Sequence, residues 1–341
     1  MIWTTVILAA VTAIATAILV GYFRRLLLRH DILDRPNTRS SHDTPTPRGG
    51  GIGVMLVLLP VWLIAGFVLP FDGSATAKWL IPAAAAGLAA ISWVDDVRTI
   101  GALPRLGAQF AAAILGVLMV PGLVFQGLFP GWLDAAVALI GLVWFINLFN
   151  FMDGIDGISG VEAGAIGIGL GAVGWLLAAT PDTYAAQAIF VAASVLGFLV
   201  WNWHPARIFL GDIGSIPLGF LLGWLLLVMA TSGQWAAALI LPLYYLVDAT
   251  LTLLRRLLRG EKVWQAHREH FYQRAVQNGR NHAQVSIAVG LTNAGLLALA
   301  ILSSTVFSGG AGPFAMVAAA FFLVAVLLAW MARGRALSES A

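Results

Sequence analysis

Apolar runs long enough to cross a lipid bilayer recur along the whole chain, and no other feature narrows its fold so far. Val54 to Leu69 and Ala315 to Trp330 are nearly unbroken examples. A spanning helix needs about 20 such residues, whereas the strands of a membrane barrel alternate in polarity over roughly ten. Of the 341 residues 60% are apolar and 10% charged, too little polar surface for a water-soluble globule of this length. The chain therefore reads as an all-α, polytopic integral membrane protein.

Eleven apolar windows fall near residues 2–22, 50–70, 79–94, 106–121, 135–150, 159–179, 184–201, 215–231, 235–254, 284–305 and 312–332. The first has no basic leader and is followed by Arg24, Arg25 and Arg29, so it reads as an uncleaved span with a periplasmic N-terminus. Threading eleven spans from there assigns loops 23–49, 95–105, 151–158, 202–214 and 255–283 to the cytoplasm, with a cytoplasmic tail at 333–341. Eighteen of the 19 basic residues then share that face, with Lys78 alone opposite. Residues 1–332 form one transmembrane domain in this reading. Pro121, Gly122, Gly127, Pro130 and Gly131 interrupt the pattern over 106–150, where a re-entrant hairpin is the alternative.

The charge excess follows this membrane pattern, so it argues for basic loops and against a nucleic-acid partner. The absence of cysteine excludes disulfides and thiolate metal sites. All six histidines (His30, His42, His204, His267, His270 and His282) and at least eleven of the 16 carboxylates fall on the cytoplasmic side. Chemistry concentrated at one surface points to an interfacial enzyme, whereas a transporter needs polar groups near the midplane.

Several clusters carry that chemistry. Asp95 and Asp96 end the third window, where adjacent carboxylates meet each other and the negative pole of their helix. Hydration relieves such a pair at an exposed surface; a hard divalent cation relieves it better. Asn147, Asn150, Asp153 and Asp156 lie among Gly154, Gly157 and Gly160, more polar groups than helix capping needs, which favours a substrate site. Asp212 and Ser215 in Gly211-Asp212-Ile213-Gly214-Ser215 suit an N-cap, and Asp212 equally suits a further metal ligand. Arg48 with Gly49, Gly50 and Gly51 offers a cation and backbone N–H groups to an anion. Arg35, Arg39, Arg98 and Arg105 read mainly as topology determinants. In the last large loop Trp264, His267, Arg268, Glu269, His270, Tyr272 and Arg274 suggest an interfacial helix on which His267, His270 and Arg274 share a face, the histidines reaching phosphates. Asp248, inside the ninth window, has Arg255 two turns on as its expected partner.

In order along the chain, Asp34-Arg35-Pro36 with Arg48 to Gly51, Asp95-Asp96, Asn147 through Gly157, Gly211 to Ser215, and His267 with His270 resemble the polyprenyl-phosphate N-acetylhexosamine-1-phosphate transferases. This is the WecA and MraY type within glycosyltransferase family 4. The Phe151-Met152-Asp153-Gly154 wording is similar to the WbpL-like branch that initiates O-antigen. His267-Arg268-Glu269-His270 departs from the family's histidine-rich wording, and Arg105 stands near a position where many members carry lysine.

The resemblance implies a single transferase domain over 1–332 in the bacterial inner membrane, with a cytoplasmic active site. It implies transfer of a sugar-1-phosphate from a UDP-N-acetylhexosamine to undecaprenyl phosphate, releasing UMP, and it admits a homodimer. Mg²⁺, with Mn²⁺ as a substitute, would be held by Asp212 and Asp96, while Asp95 orients or deprotonates the lipid phosphate. Asn150, Asp153 and Asp156 would contact nucleotide or sugar or complete the metal shell, with Arg48, His267 and His270 at phosphates. The alternatives are a phospho-MurNAc-pentapeptide transferase and an ion-coupled transporter using Asp248 and Glu162.

Overall fold

The structure is a computed structural model that describes residues 2–36, 44–69, 75–98, 100–177, 180, 182–262 and 267–334. Arg39, His42, Trp264 and the tail from 335 onward, all singled out above, lie outside the described residues. Helices carry the fold: α1 (Ile2–Arg29), α2 (Gly51–Val68), α3 (Ala77–Arg98), α4 (Ala102–Leu118), α5 (Gly131–Phe151), α6 (Ile158–Leu177) and α7 (Asp182–Asn202). After these come α8 (Asp212–Thr231), α9 (Trp235–Ile240), α10 (Leu243–Leu258), α11 (Phe271–Gln277), α12 (His282–Ser304) and α13 (Gly312–Ala332). The two-residue strands β1 (Leu33–Asp34) and β2 (Thr46–Pro47) pair antiparallel, Leu33 opposite Pro47 and Asp34 opposite Thr46.

Among the described residues nine helices are long and apolar enough to cross a membrane. Each of the eleven windows has a helical counterpart, but α4 has only 17 residues and the ninth window, expected as one span, divides into α9 and α10. Pro242, which has no N–H to donate, stands at that division as the N-cap of α10. In the 106–150 region α5 is a full span of 21 residues, and Asp134 accepts the N–H groups of Val124 (3.0 Å) and Phe125 (2.9 Å) to close the turn before it.

Helix α8 is the axis of the molecule, with 94% of its most apolar 18-residue stretch buried, against 22% for α1 and 28% for α13. It packs on α3 and α5, with α6 and α7 closing one side and α12 and α13 added beyond them. Small residues permit the closest approaches: a Cβ at Gly167 on α6 would lie 2.6 Å from the Ala188 carbonyl oxygen of α7. Close backbone contact of this kind is how helices associate where lipid offers no hydrophobic drive.

The loops assigned to one face are joined to each other. Arg24 Nε donates to the Arg207 carbonyl (3.1 Å), Tyr272 Oη to that of Phe151 (3.0 Å) and Arg280 to that of Arg333 (2.6 Å). These bonds join five of the chain segments assigned to that face.

Candidate active site

Three helix ends meet beside α8. Asp95 and Asp96 lie at the C-terminal end of α3, Asn150 at that of α5, and Asp212 is the first residue of α8. Gly211, in the left-handed region at φ 75°, brings Asp212 close to α3: its backbone N–H lies 3.4 Å from Asp96 Oδ1, and that of Ile213 donates to Asp96 Oδ2 at 3.2 Å. An acidic side chain thus sits at the positive N-terminus of α8, a favourable placement that offsets its position at the negative end of α3.

Two arginines bind the carboxylates together. One Arg48 nitrogen contacts Asp96 Oδ1 (3.0 Å) and Asp212 Oδ1 (2.6 Å). Arg105 Nη1 contacts Asp95 Oδ2 (2.5 Å) and Asp212 Oδ2 (3.2 Å), and the Ile100 N–H donates to Asp95 Oδ1 (2.6 Å). The carboxylate side chains are 4–12% exposed and the arginines 38% and 34%, so the cations form the solvent side of the cluster. Burial opposes the charge on Arg48, but Asp212 and Asp96 hold its pKa above the ordinary value. Arg105, read from sequence as a topology determinant, is therefore also part of this centre.

The glycines after Arg48 have a different role from the anion cradle expected of them. The N–H groups of Gly49 and Gly50 donate to the Phe209 carbonyl (3.1 and 2.8 Å) and that of Gly51 to Leu210 (2.9 Å). With those donors taken, the glycines instead allow contact: a Cβ at Gly51 would lie 2.4 Å from the Gly214 Cα. The turn docks α2 on α8 and leaves Arg48 turned to the carboxylates.

Asn150 accepts a hydrogen bond from Ser215 Oγ (2.6 Å), which ties α5 to α8, while Asn147 donates to Gln109 Oε1 (2.7 Å) on α4. Asp153 lies in the α5–α6 connection. Burial raises its pKa to about 6, against the opposing influence of Ser159 and Arg48. Asp156 faces another centre: its Oδ2 is 2.7 Å from His204 Nδ1 and 3.2 Å from His282 Nδ1, and accepts the Ala206 N–H (3.1 Å). Burial works against its ionisation, yet the two imidazoles hold its pKa below the usual value.

The histidine segment also departs from expectation. His267 and His270 precede α11, and His270 is its N-cap, so they do not share a helix face with Arg274. Phe271, Tyr272, Gln273 and Ala275 are buried, so this face of α11 packs on protein and is not free to lie in lipid. Asp248 does not pair with Arg255. Its carboxylate accepts the N–H groups of Phe271 (3.0 Å) and Tyr272 (3.3 Å) and the hydroxyls of Tyr244 and Thr252 (both 3.3 Å), while the Arg255 guanidinium lies 4.9 Å from the Phe271 ring centroid. The His267 and His270 ring centroids are 4.8 Å apart, and Tyr272 links the segment to the end of α5. Burial, with His270 and Arg256 nearby, lowers the His267 pKa to about 4, so its imidazole is neutral at pH 7.

An apolar cavity of about 420 Å³, lined by Phe23, Ile52, Met55, Leu59, Trp93 and Ile213, reaches the neighbour of Asp212. His204 and His282 carry no expected role in the sequence, and Tyr272 only a place in the expected interfacial helix, because each is positioned by residues remote in the chain.

The family model described as Glycosyl transferase family 4 matches residues 79–230, the stretch from α3 to α8 that holds Asp95, Asp96, Asn150, Asp153, Asp156 and Asp212. A Streptomyces coelicolor protein named as a glycosyltransferase is 32% identical over 326 residues, covering 89% of this chain and 72% of its own length. A Bacillus subtilis protein named as an undecaprenyl-phosphate N-acetylglucosaminyl 1-phosphate transferase is 24% identical over 300 residues, covering 84% of this chain and 81% of the relative. A Halalkalibacterium halodurans protein named as a phospho-N-acetylmuramoyl-pentapeptide-transferase is 27% identical over 234 residues, 63% of this chain and 71% of the relative.

Proposed function

This chain belongs to glycosyl transferase family 4, and from that membership we propose that it moves an N-acetylhexosamine-1-phosphate from a UDP-sugar to undecaprenyl phosphate, releasing UMP. The observation that carries the reading is the convergence of Asp95, Asp96 and Asp212 on Arg48 and Arg105 at one end of the bundle. A soluble nucleotide sugar and a lipid phosphate can meet only at a membrane surface. The distribution of basic loops makes that surface cytoplasmic, in a bacterial inner membrane. The product would initiate O-antigen or another cell-surface polysaccharide.

The oxygen-only donor set suits Mg²⁺ or Mn²⁺. Asp96 and Asp212 already share one cationic nitrogen, so their oxygens are near enough to share a metal ion. Asp212 and Asp96 would hold it. Bound there, the ion would neutralise charge on the UDP-sugar diphosphate.

The chain's own groups supply the rest. Arg48 and Arg105, more exposed than the acids they bridge, turn toward phosphate oxygens when substrate enters. Asp95 orients the lipid phosphate. That phosphate is largely ionised near neutral pH because its second pKa is about 6, so positioning contributes more than proton removal. The apolar cavity beside Ile213 gives an isoprenoid chain an approach to Asp212. Asn150 and Asp153 face the nucleotide sugar, and Asp156 holds the α5–α6 connection to the α7–α8 connection and α12. His267, neutral at pH 7, serves phosphate as a hydrogen-bond donor, and His270 fixes the start of α11.

Relatives named as pentapeptide transferases align with a smaller part of the chain, which favours a simple N-acetylhexosamine donor. UMP release by detergent-purified protein tests the reading, with undecaprenyl phosphate, Mg²⁺ and separately UDP-GlcNAc, UDP-GalNAc, a 6-deoxy UDP-HexNAc and UDP-MurNAc-pentapeptide. Release from a small UDP-HexNAc that requires both lipid and metal is expected. Release from the pentapeptide substrate alone would transfer the protein to peptidoglycan synthesis, and lipid-independent release would overturn the proposed acceptor.

A further inference from the structure

Asp156, His204 and His282 come from three separate elements: the α5–α6 connection, the α7–α8 connection and the first turn of α12. Their nearest donor atoms all lie within 4.8 Å of one another. His204 Nδ1 is 2.7 Å and His282 Nδ1 3.2 Å from the same carboxylate oxygen. In a tetrahedral site with metal–ligand bonds of about 2.0–2.2 Å, neighbouring ligand atoms sit about 3.3–3.5 Å apart. The His282 separation is already close to that spacing, the His204 nitrogen would move outward by about 0.6–0.8 Å, and the ligand atoms of the two imidazoles lie within 4.8 Å of each other.

Hydrogen bonding alone satisfies this group poorly. The Asp156 N–H points at His282 Nδ1 (3.3 Å), which requires a lone pair on that nitrogen. The same nitrogen faces Asp156 Oδ2, where it would need a proton. Either tautomer leaves one contact unfavourable. A cation among the three atoms draws both imidazole lone pairs and the carboxylate toward itself, at the loss of one long N–H contact.

The surroundings hold the ligands in place. Ser286 donates to the Asp156 carbonyl (2.8 Å), the Gly157 N–H to Asn202 Oδ1 (2.9 Å), and Asn202 Nδ2 to the Ile208 carbonyl (2.9 Å). Asp156 and His282 side chains are 7% and 9% exposed, while His204 at 35% leaves an entry from solvent. These bonds fix the backbone that carries Asp156 and the α7–α8 connection, and a rigid frame with one open side suits a three-ligand metal site.

We propose that Asp156, His204 and His282 form a transition-metal site of the zinc class, separate from the carboxylate centre. Two imidazoles and one carboxylate favour Zn²⁺ over Mg²⁺, which takes oxygen ligands. The ion clamps the connection carrying Asp153 against the α7–α8 connection and α12 and keeps one coordination position for water or ligand. The proposal does not depend on the transferase reading.

The test uses the full chain in detergent, with any affinity tag removed and metal stripped by chelator. Zn²⁺ is added without nucleotide, and metal retained after desalting is measured by mass spectrometry. The expected result is one Zn²⁺ per chain, retained by Asp212→Asn and lost from the His204→Gln/His282→Gln double variant. No retention by the unsubstituted chain, or retention by a folded double variant, overturns the site. Should the double variant fail to fold, pulsed electron paramagnetic resonance of Cu²⁺ on the unsubstituted chain decides. Two coordinated imidazoles are expected, and fewer than two contradict the proposal.

Discussion

The carboxylate centre and the histidine segment both use buried acids, but they differ in what those acids hold. Asp95, Asp96 and Asp212 are matched by two arginine side chains that reach solvent. Asp248, fully buried, is matched by the backbone N–H groups of Phe271 and Tyr272 and by two hydroxyls. Side-chain cations can withdraw and be replaced by a metal ion or a substrate phosphate. Backbone donors at a helix start cannot leave without unfolding the segment. The first arrangement is suited to binding and the second to positioning, so substitutions in the two should fail in different ways.

The largest effect is expected at Asp212→Asn. Removing the acid that both arginines share should lower UMP release by about 10²–10³-fold, the scale of losing a preorganised electrostatic group. Its thermal unfolding should stay close to that of the unsubstituted chain. A comparable loss of stability would mean that the cluster is structural.

Asp248→Ala should show the opposite balance. Two N–H groups lose their acceptor, a cost of about 1–3 kcal/mol for a buried unsatisfied group. A lower melting temperature and faster proteolysis near α11 are expected, with part of the activity retained at low temperature. Unchanged stability would remove the distinction between the two regions.

The pH dependence separates them further. Asp153, raised to about 6 in the folded chain, holds its proton after the unfolded chain has released one, so it lowers stability as pH rises from about 4 to 6. His267, lowered to about 4, resists protonation that the unfolded chain accepts, so its contribution is lost as pH falls from about 6.5 to 4. In chemical-denaturation series from pH 4 to 7, Asp153→Asn should remove the first trend and His267→Gln the second. Identical pH curves for the variants and the unsubstituted chain would contradict both environments.

The smallest effect is expected for Arg105→Lys, which keeps the charge but replaces a planar fork with a compact ammonium group. Weakening one or two charge-assisted hydrogen bonds should lower turnover about 5–30-fold, the factor corresponding to 1–2 kcal/mol. Full activity would mean that charge alone matters at this position.

The helices were legible because hydropathy alone places a spanning helix, and the acids because Asp95 and Asp96 adjoin each other at a helix end while Asp153, Asp156 and Asp212 each adjoin a glycine. The exceptions have local physical causes. Pro242 splits the ninth window without changing its hydropathy, and the Phe209 and Leu210 carbonyls take the N–H groups that Gly49 to Gly51 would have offered an anion. Asp248 and Arg255 have the spacing of a helical pair, yet a segment 23 residues away supplies better donors. His204 and His282 stand 48 and 126 residues from Asp156, a separation that no periodicity reports.

The central claim is that Asp96 and Asp212 exchange arginine for a divalent cation, and Mn²⁺ binding followed by electron paramagnetic resonance tests it most directly. One Mn²⁺ per chain should bind in the presence of UDP-GlcNAc, be displaced by excess Mg²⁺, and be lost from Asp212→Asn while Asp248→Asn retains it. Equal Mn²⁺ binding by the unsubstituted chain and a folded Asp212→Asn variant would contradict the account.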